Sequence, residues 1–225
     1  SDLKKCVEVG TLVGAYVTET INRYPFKLLY EKMFDRVLLI AKKKYGGRKL
    51  MENPESPSGF DISISKSGVS TVKKTSCLLL RETVDYVFDK IINDDHPLET
   101  CVKYLKEVAK RIHSVNDSWD ADLLNKLKVR FVYGKPEYAN KSVITEVVRK
   151  KTERDPIPPE LGDVFFVLPT FSPQNGKACD WSEDIEYLLK DGNPMKRTDM
   201  ALKYYVDTPR IINNHFKTSI LELFP

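Results

Sequence analysis

The apolar positions of this chain keep a helical period in some stretches and run unbroken or alternate in others, and the changes between these patterns mark the expected elements. From Asp2 to Asn22, Cys6, Gly10, Val13, Val17 and Ile21 recur at three- and four-residue steps, predicting a helix with Asp2 as its cap. Gly10 and Gly14 leave the middle of that helix thin. Glycine costs roughly 1 kcal/mol against alanine in a helix interior, so two of them predict close approach of another element, most simply a sheet. Phe26 to Met33 predicts a strand and Phe34 to Arg36 a turn. The unbroken run from Val37 to Ala41, leading into Lys44, predicts a strand covered on both faces. Lys49 to Asp61, with Pro54, Pro57, Gly59 and two serines, predicts an exposed loop, and Asp61 to Ser65 a short returning strand.

The remainder is mostly helical in pattern. Cys77, Leu80, Val84, Val87, Phe88, Ile91 and Ile92 mark an amphipathic helix from Ser76 onward, and Pro97 opens a second one through Cys101, Leu105, Val108 and Ile112. The short connection Asn93 to Pro97 predicts an αα-hairpin. Ser118 to Leu127 reads as a shorter helix capped by Ser118, with Asp120 and Asp122 in its first turn, where acids suit the helix dipole. Lys128 to Tyr133 alternates as a strand. Ser142 to Lys151 predicts a helix running into Arg149, Lys150, Lys151 and Arg154; stabilisation of the dipole and contact with phosphate fit those cations equally. Pro156, Pro158 and Pro159 make a rigid connection to a strand at Gly162 to Val167. Helices are expected at Trp181 to Leu189, Asp199 to Val206 and Pro209 to Leu223. The fold class expected is α+β: a small antiparallel sheet with a packed helix, followed by a mainly helical part.

Composition changes this picture little, and the distribution of charge changes it more. With 225 residues, 41% of them hydrophobic, the chain is long enough to bury a core. The net charge of +4 is too small to indicate nucleic acid by itself. Lys42, Lys43, Lys44, Arg48 and Lys49 nevertheless form one local cluster, and Lys66, Lys73, Lys74 and Arg81 a second. Cys6, Cys77, Cys101 and Cys179 show no metal-ligand spacing and read as reduced thiols of an intracellular protein, although their even number also permits disulfides. His96, His113 and His215 are isolated in the sequence. No apolar run has the length of a membrane span. Ser1 in place of a methionine suggests a fragment or processed piece.

The most informative stretch is Val37 to Gly47, where the apolar run delivers Lys42, Lys43 and Lys44, then Tyr45, Gly46 and Gly47. Lysines at a strand end commonly form a solvated or edge-protecting face. A fixed strand would also hold them as positioned charges, with a tyrosine offering a flat ring and a hydroxyl and glycines able to turn or to approach a ligand. That combination suits a polyanion. The Lys-Lys-Lys-Tyr-Gly-Gly run after an apolar strand resembles the Lys-Lys-Arg-Tyr element of family B DNA polymerases, and Phe26 to Met33 resembles the preceding palm strand. Ser67 to Cys77 is similar to that family's Lys-Gly-x-x-x-Val-Arg-Arg/Lys element, with Ser67 where lysine is usual and Lys66 one place earlier. Gly162 to Val167 resembles a thumb segment of the family, with Phe166 in place of a tyrosine, and Asp199 with Tyr204-Tyr205 is a looser match.

The resemblance implies the end of a polymerase palm over residues 1–50, an exposed loop and short strand over 51–65, and a thumb over 66–225. It implies that Lys43 and Tyr45 lie beside newly formed base pairs, the lysine at minor-groove acceptors and the tyrosine ordering the primer backbone. Lys42, Lys44, Lys73 and Lys74 would then hold phosphates, with Gly46 and Gly68 at close backbone approaches. The implied partners are primer–template duplex DNA, the remainder of the polymerase and a processivity factor at the C-terminal tail, where packing on the thumb is the competing use. The implied source is a large double-stranded DNA virus, herpesvirus-like or baculovirus-like, with the host nucleus as location. The complete polymerase would use Mg²⁺ held by aspartates of a Tyr-Gly-Asp-x-Asp-Ser turn, which this sequence lacks, so the chain alone is expected to be inactive. Asp120 and Asp122 are read as structural. A different class of function, a non-enzymatic basic module binding an acidic protein, also fits the lysine cluster.

Overall fold

The computed structural model describes residues 2–21, 25–69, 76–134, 143–154, 156–171, 182–184, 189–190, 193–194 and 205–224. They divide into two compact units, Ser1–Ser67 and Gly68–Pro225. The α+β class is borne out, with small antiparallel sheets beside the helices.

The first unit opens with α1 (Asp2–Ile21). Its two glycines do mark a close approach, but to a segment outside the sheet. A Cβ at position 14 would lie 3.1 Å from the Leu28 carbonyl oxygen, and one at position 10 would lie 2.7 Å from the Tyr30 ring. Thr18 fastens the same contact: its hydroxyl accepts from Leu28 N–H at 2.9 Å and donates to the Gly14 carbonyl at 2.8 Å. Residues 26–32 form no strand, so of the strand expected at Phe26 to Met33 only Met33 is paired, as the first residue of the sheet.

A three-stranded antiparallel sheet in the order β1-β2-β3 follows, made of β1 (Met33–Ala41), β2 (Lys44–Glu52) and β3 (Phe60–Ser67). Three expectations are corrected here. The turn expected at Phe34 to Arg36 is a register irregularity within β1. The Val37–Ala41 run is not covered on both faces, since Val37 and Leu39 are 49% and 73% exposed within this chain. The expected loop is confined to residues 53–59, because Lys49 to Glu52 continue β2 and pair with Phe60 to Ser63. An unbroken apolar run and a proline-rich stretch are local signals, whereas cross-strand pairing decides where a strand stops.

The second unit is built on α2 (Leu78–Asn93) and α3 (Pro97–Ser118), which form the expected hairpin with Pro97 at the helix start. Tyr86 and Tyr104 stack between them, centroids 3.9 Å apart. Leu79, Leu80, Val84, Val87 and Phe88 of α2 form a core with Cys101, Val108, Ile112 and Val115 of α3. Because α3 runs through Ser118, the cap of the next helix is not Ser118. Trp119 takes a left-handed conformation (φ 47) that ends α3, and Asp120 caps α4 (Ala121–Leu127), accepting from Asp122 N–H at 2.9 Å. Asp120 is thus a helix cap.

β4 (Val129–Val132) pairs with β5 (Val164–Phe171), and α5 (Val143–Arg154) contributes Val147 to a small core with Phe165 and Val167. The helix expected from Trp181 is overturned at Ser182–Asp184, which pairs with β5 as β6. Leu189–Lys190 and Asn193–Pro194 form a two-residue ladder, β7 and β8. Of the expected helix 199–206, only Tyr205–Val206 is described, and it is a strand, β9, on the end of β5. The last expected helix forms as α6 (Thr208–Arg210), a π-helical stretch Ile211–Lys217, and α7 (Thr218–Leu221). Ile220 and Leu223 of the tail are buried, as its packing on the rest of this unit requires.

Candidate nucleic-acid interface

The basic run from residue 42 is a tight turn. Ala41 pairs with Lys44, so Lys42 and Lys43 alone connect β1 to β2, and both are exposed at the tip of the hairpin. Lys43 has φ 65, a left-handed conformation that side-chain-bearing residues rarely adopt. A turn of this kind favours glycine, asparagine or aspartate, so the lysine is held there at a backbone cost of about 1–2 kcal/mol.

Register places further cations at the same end of the sheet. On β2, alternation puts Lys44, Gly46 and Arg48 on one face and Tyr45, Gly47 and Lys49 on the other. Gly46 pairs with Lys66, so Lys44 and Lys66 share a face, and Tyr45 pairs with Ser67. Lys66 is the residue one place before the family's usual lysine position, and the register brings it beside the hairpin tip.

Tyr45 is held in place by residues from the segment before β1 and from β1 itself. Lys32 Nζ donates to the Tyr45 hydroxyl at 3.1 Å and sits 5.3 Å from the ring centroid, and Phe34 meets the ring edge-on at 6.4 Å. That hydrogen bond, and then the one to Glu31, holds the Lys32 ammonium above its ordinary range. The phenol accepts from Lys32 and keeps its own O–H to donate. Nothing in the sequence pointed to Lys32, because its partner lies across a strand and a turn.

Gly46 and Gly47 do not turn the chain. Both are buried within β2, and a Cβ at position 47 would lie 2.1 Å from the Arg36 carbonyl oxygen. Close approach is the right reason for Gly47, but the neighbour approached is β1. Farther along, Arg48 makes a forked pair with Asp35, with Nε 3.0 and 3.1 Å from the two carboxylate oxygens and Nη2 closing on Oδ2. The Arg48 hydrogen bond holds the Asp35 carboxyl below its ordinary range. Arg48 is thereby a tie between strands. Gly68 has φ 63, which favours glycine there. Lys73 and Lys74 lie outside the described residues.

Among the described residues, no three His, Cys, Asp or Glu side chains come together to hold a metal ion. The described residues therefore offer no site for the Mg²⁺ ions implied for a complete polymerase.

Comparison with known proteins gives this geometry its context. The model of DNA polymerase family B matches residues 1–218. The DNA polymerase delta catalytic subunit of Candida albicans is 28% identical over 210 residues, 92% of this chain and 18% of that protein. The Dictyostelium discoideum delta catalytic subunit is 31% identical over 188 residues, covering 83% and 16%. The DNA polymerase catalytic subunit of human herpesvirus 6A is 23% identical over 245 residues, covering 96% and 22%. Each alignment thus takes in less than a quarter of the relative's length. In fold, the chain is similar to the family B DNA polymerase of Pyrobaculum calidifontis, with a TM-score of 0.60 at 19% identity over 94% of this chain and 24% of that one. With the family model covering nearly the whole sequence, the chain belongs to DNA polymerase family B.

Proposed function

We propose that the chain is the palm-end and thumb part of a DNA-directed DNA polymerase and that it holds the primer–template duplex. In this reading residues 1–50 are the palm end, 51–65 an exposed loop and short strand, and 66–225 the thumb. Lys43 and Tyr45 face the minor groove of newly formed pairs, and Lys42, Lys44, Lys73 and Lys74 take phosphates. The observation that carries the reading is the hairpin tip: Lys42 and Lys43 on a two-residue turn, Lys44 and Lys66 sharing a face beside it, and a tyrosine steadied by Lys32. Minor-groove acceptors are nearly common to all base pairs, so a donor fixed there tests pairing geometry without reading sequence, and phosphate contacts position the duplex without specifying it.

The chain by itself is expected to bind duplex and to incorporate no nucleotide, since its sequence contains no Tyr-Gly-Asp-x-Asp-Ser turn. Its natural partner is then the remainder of the polymerase. A processivity factor at this tail would meet the exposed Leu221 and the half-buried Phe224. A viral source, with work in the host nucleus, is the finer part of the reading and rests on the herpesvirus relative; the delta catalytic subunits support the replicative class equally well.

The test is duplex binding as a function of salt. Lys42→Ala and Lys44→Ala should each reduce the slope of log affinity against log salt by roughly 0.9. A saturable site for an acidic protein that duplex competitor leaves untouched would overturn the reading in favour of an interaction module. Nucleotide incorporation by the isolated chain with Mg²⁺ would overturn its inactivity.

A further inference from the structure

The second unit carries a basic concavity that no sequence motif announces. At the start of α2 lies a cleft of about 250 Å³ lined by Ser76, Leu78 and Arg81, by Asn125 and Lys128, and by Arg130 with Phe166. The strand register explains the last pair. Arg130 is directly opposite Phe166 in the β4–β5 ladder, so the two share a face. Their neighbours Phe131, Phe165 and Val167 point the other way, into the small core with Val147.

The cleft gathers positive charge. Arg81, Lys128 and Arg130 line it, and among the described residues no carboxylate does. Glu82, next to Arg81 in sequence, is engaged instead by Lys126 at 3.4 Å. Lys128 is held in position, its ammonium 4.5 Å from the Phe166 centroid and donating to Asn125 Oδ1 at 3.0 Å, which leaves further N–H donors on the same nitrogen. The Nε of Arg81 is sealed from solvent and has no acceptor among the described residues. The beginning of α2 adds to the field: Cys77 makes no side-chain capping bond and the first turn holds no acid.

We propose that this cleft is a phosphate-binding site. Two guanidinium groups and a fixed ammonium, with an amide and a serine at the rim, match a tetrahedral group with several acceptor oxygens, and guanidinium binds such oxygens in pairs. The phosphate belongs either to a nucleic-acid backbone or to a free phosphoryl compound. The first source rests on the duplex reading above, and the second does not.

Two measurements on the full chain separate them, each comparing the wild type with Arg81→Gln/Arg130→Gln. Inorganic phosphate, against chloride at matched ionic strength, should raise the melting temperature of the wild type saturably by a few degrees, as a ligand specific for the folded state does, and should fail to do so in the double variant. The salt slope for duplex DNA should fall by roughly 0.9 in the double variant, for the one phosphate no longer neutralised. A fall in slope identifies a strand phosphate. A melting shift abolished without any change in slope identifies a free phosphoryl group. A double variant that matches the wild type in both readouts overturns the proposal. If the wild type binds no duplex, the hairpin reading fails while the phosphate measurement still decides the cleft. Arg130→Gln alone, on a strand surface, carries the same comparison should the double variant unfold, with a smaller change in slope.

Discussion

A methyl group at position 47 would overlap the carbonyl of Arg36, so β1 and β2 pair at this register only because residue 47 has no side chain. In the sequence the glycine pair allows either a turn or close approach to a ligand, since glycine after a charged run is a common turn signal. Local sequence cannot tell a glycine needed for its dihedral angles from one needed for room. The turn itself is made earlier, by Lys42 and Lys43. Cysteine was more legible: Cys77 and Cys101 sat among core positions of helical patterns, and both are buried free thiols, whereas Cys6 is exposed. Burial pushes the Cys77 thiol up to about 11 and raises Cys101 as well. Since the thiolate is the reactive form, an alkylating reagent at about pH 8 should label Cys6 quickly in the native chain and reach Cys77 and Cys101 only after unfolding. Peptide mass spectrometry reads this directly, and rapid native labelling of Cys77 would contradict its placement.

At the scale of elements, two ties hold strands that sequence patterns leave undetermined. The forked Asp35–Arg48 pair joins β1 to β2 with both side chains about a quarter exposed. Asp35→Asn should therefore cost only about 1 kcal/mol, discounted for solvent screening. Its acid dependence has a definite sign. The Asp35 carboxyl is held below its ordinary value of 3.8 in the folded state, so its contribution is present above that value and lost as pH falls through the lower folded-state one. Wild type and Asp35→Asn should converge in stability on acidification below about pH 3.8, as urea titrations at a series of pH values would show. In the second unit, Asn116 of α3 donates to the Val206 carbonyl at 2.9 Å and accepts from its N–H at 2.8 Å. Val206 is fully buried, so Asn116→Ala leaves both backbone groups without a partner and should destabilise the unit by about 2–3 kcal/mol. A loss within a few tenths of zero in urea unfolding would refute the clamp. The helices were easier to anticipate, because the α2–α3 hairpin carries its period, its proline start and its short connection within one continuous stretch.

For the molecule as a whole, the first unit presents much apolar surface for its size. Leu12 and Tyr16 on α1, Leu29 before the sheet, Leu39 on one sheet face and Ile62 on the other are all more than half exposed. Apolar side chains so exposed lead us to expect a partner over part of this surface, in keeping with a chain that spans less than a quarter of the relatives it matches. The isolated chain should enhance the fluorescence of an apolar dye and self-associate with rising concentration. Leu12→Glu should weaken both effects without lowering helix content, as light scattering and circular dichroism would record. A monomer at all concentrations, with no dye response, would show that these faces do not seek a partner.

The sequence by itself determined the class of the fold, the helical hairpin and the clustering of Lys42, Lys43 and Lys44. Each follows from periodicity, caps or charge within a few neighbouring residues. Tertiary structure decided which strands pair, that Lys32 steadies Tyr45, that Gly47 makes room for β1, and that Arg81, Lys128 and Arg130 line one cleft. Those facts depend on register and packing between segments distant along the chain, and a pattern confined to neighbours carries no record of which distant segment it will meet.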